Sequence, residues 1–256
     1  MDPATMIGVG LAVAAIFGSL IMDGGSIGSM ILIPPILLVF GGTIGAAVAG
    51  GLMSDAKRLP KSLIKAITAK VTTPIGGVTI IVKMAEIARR DGLLALDSEV
   101  AKVEDPFLRK ALEMAIDGTD ADEVAEILGI EVDAKRSADA SAAKIFSDMG
   151  GYAPTIGIIG TVLGLVHVLG NLGDPSTLGG KIASAFVATL WGVMTANIFW
   201  FPLGNRLKRV SAAECEQMEL AIEGVLAIQA GANPRLVAAK LNSMVHSHDP
   251  PAKEVA

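Results

Sequence analysis

Between Pro154 and Asn171, and again between Ile182 and Gly204, the chain contains no Asp, Glu, Lys or Arg. Each stretch is long enough to cross a hydrocarbon core of ~30 Å, which takes ~20 helical residues. A short loop joins them, so Tyr152–Gly204 reads as a hairpin of two spans. Neither span is apolar all round. Gly157, Gly160 or Thr161, Gly164 and His167 recur at three- and four-residue steps and share one helical face. Thr189, Gly192 and Ala196 do the same in the second span. Small, hydroxylated faces let helix backbones approach closely, and their hydroxyls can bond across the contact or line a wet path. The hairpin reads as the wall of an ion pathway.

Composition supports a membrane class. The 256 residues are 52% apolar and 18% charged, against ~25% charged in soluble domains. A net charge of −5 and the lack of a basic stripe with interleaved aromatics argue against nucleic acid. A single cysteine, Cys215, excludes an internal disulfide. His167, His246 and His248 are the only histidines, and no Cys/His cluster has metal-ligand spacing. No metal or other cofactor is expected. The first apolar run lacks a basic n-region, so it is expected to be a retained span rather than a secretory signal.

In chain order, residues 1–53 form a first transmembrane hairpin, with spans at about 5–22 and 30–53 around the turn Asp23-Gly24-Gly25-Ser26. Residues 54–149 are a helical cytoplasmic domain of amphipathic stretches. Leu59, Leu63, Ile64 and Ile67 make one apolar face, and Phe107, Leu108, Ala111 and Leu112 another after Asp105-Pro106. Thr119-Asp120-Ala121-Asp122 caps the helix that holds Val124, Ile127 and Leu128. Thr73-Pro74 marks a bend. Residues 150–204 are the second hairpin, with spans at about 152–171 and 182–204. Residues 205–256 are a C-terminal cytoplasmic helix and tail: a separate amphipathic helix over Ser211–Gln229, a short one after Asn233-Pro234, and a polar end. The fold class is thus an all-α integral membrane protein of four transmembrane helices.

Basic residues set the orientation. Of 21 Lys and Arg, 14 lie in Ser54–Met149, six in Asn205–Ala256 and one, Lys181, beside the second hairpin's loop. The positive-inside rule puts the middle domain and tail in the cytoplasm, with both termini inside and the Asp23 and Asp174 loops outside.

No span contains an acid, although an ion-coupled machine needs a membrane carboxylate to take up and release its ion. Either the protein moves no ions or a partner supplies that group, and the polar stripe favours the partner. His167 reads either as a packed neutral imidazole or as a relay. Thr161 and Thr189 read either as hydroxyls satisfied on their own helix or as pathway-lining oxygens. Pro154 reads as a helix-start proline or a hinge. The run from Arg89-Arg90-Asp91 to Asp97-Ser98-Glu99 reads as a solvated face or an electrostatic docking surface. No nucleophile–base pair or phosphate loop is present, so no enzyme activity is expected.

The stretch Gly151-Tyr152-Ala153-Pro154-Thr155-Ile156-Gly157-Ile158-Ile159-Gly160-Thr161-Val162-Leu163-Gly164-Leu165-Val166 resembles the MotA/PomA family of flagellar motor stator subunits. Ala88–Asp97 and Thr189-Leu190-Trp191-Gly192 resemble it too, and the likeness covers nearly the whole chain. It implies a torque-generating ion channel in the bacterial inner membrane. Five such subunits would surround two copies of MotB/PomB, whose membrane aspartate supplies the missing acid. Arg89 and Asp97, with Arg90 and Glu99 beside them, would engage the rotor protein FliG, Asp97 standing where Glu is more usual. Pro154 and Pro234 match the family's two functional prolines, and Thr161 and Thr189 its pathway positions. Thr161 is associated with sodium-driven members, but Ala188 departs from their threonine pair. The proton is the expected ion and sodium the alternative. A similar architecture in the ExbB/TolQ-like energisers of outer-membrane transport is the alternative function, although one span rather than a hairpin usually precedes their cytoplasmic region. A purely structural membrane scaffold is the third reading.

Overall fold

The computed structural model describes residues 3–69, 75–170, 173 and 175–245. The expected Thr73-Pro74 bend, Asp174 and the polar end with His246 and His248 lie outside the described residues. Ten α-helices are described: α1 Pro3–Met22, α2 Ile33–Ala49, α3 Met53–Thr68, α4 Ile75–Asp91 and α5 Asp97–Val100. After these come α6 Pro106–Ile116, α7 Ala121–Leu169, α8 Pro175–Thr195, α9 Phe201–Gln229 and α10 Pro234–Met244. Short 3-10 turns lie at Ile27–Met30 and Leu93–Leu96, and a π turn at Ala196–Trp200 joins α8 to α9. Among the described residues there is no strand.

The helix ends follow local chemistry. The Asp105 carboxylate accepts from the Phe107 and Leu108 amides at 2.8 and 3.2 Å, and Pro106 fills the first turn of α6. Asn233 accepts from the Arg235 amide at 3.0 Å, with Pro234 in the first turn of α10. Asp120 accepts from the Asp122 amide at 2.9 Å where α7 begins.

Several expectations need correction. Within the expected second span, 30–53, the helix itself is α2, Ile33–Ala49, whose 17 residues make about 25 Å of helix, at the lower end of what a crossing takes. Among the described residues, three helical stretches meet the full length and apolarity of a span, in Thr5–Met22, Ala121–Leu169 and Leu178–Gln229. Pro154 does not start a helix, because α7 runs unbroken through it for 49 residues. Nor is Ser211–Gln229 a separate helix, since α9 begins at Phe201. On α3 the buried face is Ser62 and Ala66, with Leu59 and Leu63 half-buried beside them, while Ile64 and Ile67 are exposed. On α7, Val124 and Leu128 are buried but Ile127 is exposed.

The chain forms two compact units, Met1–Lys70 with Asp139–Val210, and Val71–Ala138 with Ser211–Ala256. In the second unit, Ile81 and Leu96 pack with Leu112, Val124, Leu128 and Val225 in one apolar core. Gly224 lies so close to Ile81 that a Cβ there would stand 2.5 Å from its methyl carbon. Ion pairs ring this core: Lys110–Glu131 at 2.6 Å, Arg136–Glu219 at 2.5 Å, and Lys135–Glu214.

The first unit holds the apolar helices. Trp191 Nε1 donates to the Met30 carbonyl at 2.8 Å, and Phe40 lies between the Trp191 and Trp200 rings. Arg206 is buried. Its guanidinium donates to the Ala66 and Ala69 carbonyls at 2.6 and 2.8 Å and to Thr5 Oγ1 at 3.1 Å. The two carbonyls belong to the C-terminal end of α3, where helix oxygens lack internal donors and the helix dipole favours a cation.

Candidate ion path and charged ridge

The span of α7 packs on α8 backbone against backbone. A Cβ on Gly157 would stand 2.8 Å from the Ala188 carbonyl oxygen, and one on Gly192 2.5 Å from that of Ala153. Gly160 and Gly164 meet the Ala188 and Ala185 methyls just as closely. No side chain fits between these backbones, so the small-residue faces read from the sequence are the contact itself.

That proximity brings Thr161 and Thr189 together, and their hydroxyl oxygens touch. Thr161 Oγ1 lies 3.0 Å from the Ala185 carbonyl and 3.3 Å from that of Gly157. Thr189 Oγ1 lies 3.2 Å from the Gly157 carbonyl. Each hydroxyl owns one hydrogen, and these carbonyls and the paired hydroxyl provide acceptors for both. What the half-buried pair can offer outward is lone pairs, the chemistry that suits a cation or the hydrogens of water.

Pro154 lies one turn before Gly157. As a proline inside a helix it leaves the Gly150 carbonyl without its usual amide donor. A Cβ on Gly150 would stand 2.7 Å from the Phe201 ring. His167 lies on an exposed face of α7 in the single chain. Two further features escaped the sequence reading. Thr195 is fully buried and donates to the Trp191 carbonyl at 2.7 Å, inside α8. Arg206 had counted only as a topological charge. Its signal is the first cation of the group Arg206, Lys208 and Arg209 that follows a long neutral run.

The four charged candidates sit on either side of one turn in the second unit. Arg89 and Arg90 end α4, Gly92 turns the chain with φ +86°, and Asp97 and Glu99 lie in α5. Only glycine takes that backbone angle readily. The four are not equivalent. Arg90 holds Asp91 at 2.7 Å, which raises the Arg90 pKa and lowers that of Asp91. Glu99 is held by Lys102 at 2.5 Å and by Lys83 at 3.5 Å, and the Lys102 bond leads in lowering its pKa. Arg89 and Asp97 are exposed and have no ion-pair or hydrogen-bond partner among the described residues. Between them Leu94 is 78% exposed. Pro234 opens α10, which packs on α4.

Comparison with known proteins fits this arrangement. A family model described as the MotA/TolQ/ExbB proton channel family matches residues 99–220, and one described as the motility protein A N-terminal region matches residues 6–91. Motility protein A of Bacillus subtilis is 36% identical over 247 residues, covering 94% of this chain and 90% of the relative. Chemotaxis protein PomA of Vibrio alginolyticus is 33% identical over 246 residues, 96% of each chain. The structure of C. jejuni MotAB superposes with a TM-score of 0.94 at 30% identity, covering 99% of this chain and 100% of that one. These findings favour the stator reading over the transport energiser. The chain belongs to the motility protein A family, the flagellar motor stator proteins of the MotA/TolQ/ExbB group, which are ion-channel subunits rather than enzymes.

Proposed function

We propose that this stator chain assembles, as a pentamer around two copies, with a MotB/PomB-type subunit, and that protons passing between them drive torque on the rotor protein FliG. The C. jejuni structure being one of a MotAB complex supports the partnership. The observation that carries the reading is the Thr161–Thr189 hydroxyl pair, set on bare helix backbones in a chain whose spans contain no acid. The pair supplies acceptor oxygens, and the partner's membrane carboxylate supplies the titrating group. The chain lies in the bacterial inner membrane, with both termini and residues 54–149 in the cytoplasm, as its basic residues favour. Pro154 acts as the hinge of α7, and Pro234 fixes the start of α10 behind α4. On the ridge, the exposed and unpaired Arg89 and Asp97 make the rotor contact, while Arg90 and Glu99 keep its shape through their own ion pairs.

Sodium is the second reading, favoured by two hydroxyl oxygens that present only lone pairs. Swimming speed against sodium concentration, at fixed proton-motive force, separates the ions. For a proton path, speed is independent of sodium and Thr161→Ala is tolerated, because water carries the proton. For a sodium path, loss of that oxygen lowers speed or sodium dependence. In both, Thr189→Ile stops rotation without loss of assembly, and unchanged speed in both variants would reduce the threonines to packing.

A further inference from the structure

A groove of about 460 Å³ opens in the first unit between the early part of α1 and the start of α9. Its walls have a gradient of chemistry. At one end stand Thr5, Asn205, Arg206 and Arg209; at the other, Ala12 and Ile198. The two helices run antiparallel here, since Thr5, near the start of α1, meets Arg206 at 3.1 Å and α1 also packs on the Ala196–Trp200 turn that precedes α9; Ala12 lies about 10 Å further along α1. Gly8 forms the floor midway, and a Cβ placed on it would meet nothing within 4 Å.

The charges at the polar end have different duties. Arg206 is bound to the α3 carbonyls and to Thr5, so it builds the wall. Arg209 is exposed and, among the described residues, has no ion-pair or hydrogen-bond partner. None of the described residues lining the groove is acidic. We propose that this groove binds one anionic phospholipid of the cytoplasmic leaflet, its phosphate on Arg209 and Asn205 and its acyl chain along Gly8 and Ala12. An arginine pairs with phosphate through a bidentate, charge-assisted contact, and basic residues at a span's end attract anionic lipid. A free anion in water would leave the apolar floor uncovered. A span of a second copy would cover the floor but brings no carboxylate to Arg209, because no span contains one. Phospholipid matches both ends. Only the choice of leaflet rests on the proposed topology.

The test uses the intact stator complex with its partner subunit, reconstituted in nanodiscs of phosphatidylcholine with a minority of phosphatidylglycerol and then washed in detergent. Retained lipid per complex is counted by mass spectrometry. The wild type is expected to retain phosphatidylglycerol preferentially. Arg209→Gln, an exposed change that leaves folding intact, is expected to cut that preference about fivefold. Gly8→Leu is expected to remove retained lipid of both kinds while Arg209 is still present. Equal retention of the two lipids by wild type, or unchanged preference in Arg209→Gln, would overturn the site. So would assembly lost in Gly8→Leu with normal lipid selectivity in the assembled remainder, which would mark a subunit contact. Both nanodisc leaflets have one composition, so an error in topology cannot imitate failure of the site.

Discussion

The α7–α8 contact and the core of the second unit solve the same packing problem with opposite materials. The core is filled by branched and aliphatic side chains such as Leu112, Leu128 and Val225, all buried, with charged pairs around its edge. The span contact is made by leaving side chains out. Gly157 and Gly192 bring backbone to backbone, and the Thr161 and Thr189 hydroxyls meet beside them. Water drives the first arrangement, since burying apolar area gains about 25 cal/mol per Å². Between membrane spans that gain is absent, and close van der Waals contact with cross-helix hydrogen bonds replaces it. The two regions therefore differ in which direction of change they resist.

The largest effect should come from adding atoms to the span contact. Gly192→Leu must displace the Ala153 carbonyl, which would stand 2.5 Å from even the first added carbon. We expect no motility and little recoverable complex, read by soft-agar spreading and membrane immunoblot. Normal assembly of this variant would mean the backbones are not in contact. Next comes removal of atoms from the core. Leu128→Ala should cost about 2–5 kcal/mol, seen as a lowered unfolding temperature of the purified complex, with the protein still made. The smallest effect belongs to the ionic rim. Glu99 is held below the usual carboxylate range by Lys102 first and Lys83 after it. Its stabilising contribution is therefore present above the unfolded carboxyl pKa and is lost as pH falls through the depressed folded value. Glu99→Gln should lower stability slightly at pH 7 and flatten the acid limb by the same small amount, as befits an exposed pair. An unchanged acid limb would remove Glu99 from the rim's account.

This contrast also explains what could be read from the chain beforehand. The small-residue faces of α7 and α8, the Asp105 cap and the buried face of α6 were all legible, because each is written in spacing or in capping chemistry, whereas the contact of the Thr161 and Thr189 hydroxyls with each other needed the coordinates. On α3, hydropathy pointed to Ile64 and Ile67, whereas Ser62 and Ala66 are buried. Ala66 packs in one apolar cluster with Ala143, Phe146 and Leu207, and its carbonyl accepts from Arg206, long-range contacts that hydropathy cannot register. Pro154 looked like a boundary for the reason that holds in water, where a freed carbonyl and a ring clash usually end a helix. In a packed membrane helix, neighbouring groups can absorb both, and α7 continues. The ridge residues were legible as a charged run. Which of them were already engaged, Arg90 and Glu99, needed the coordinates.

The π turn at Ala196–Trp200 has a consequence of phase. It winds one residue more than an α turn would hold, so everything downstream is offset by about 100° from a straight α-helical count. Upstream of this slip, Thr189 and Gly192 address α7. Downstream, Arg206 addresses the end of α3 and Thr5. The slip works like a dislocation in a screw thread: one continuous rod carries two separately clocked faces, and a helical wheel drawn through the whole stretch misplaces one of them.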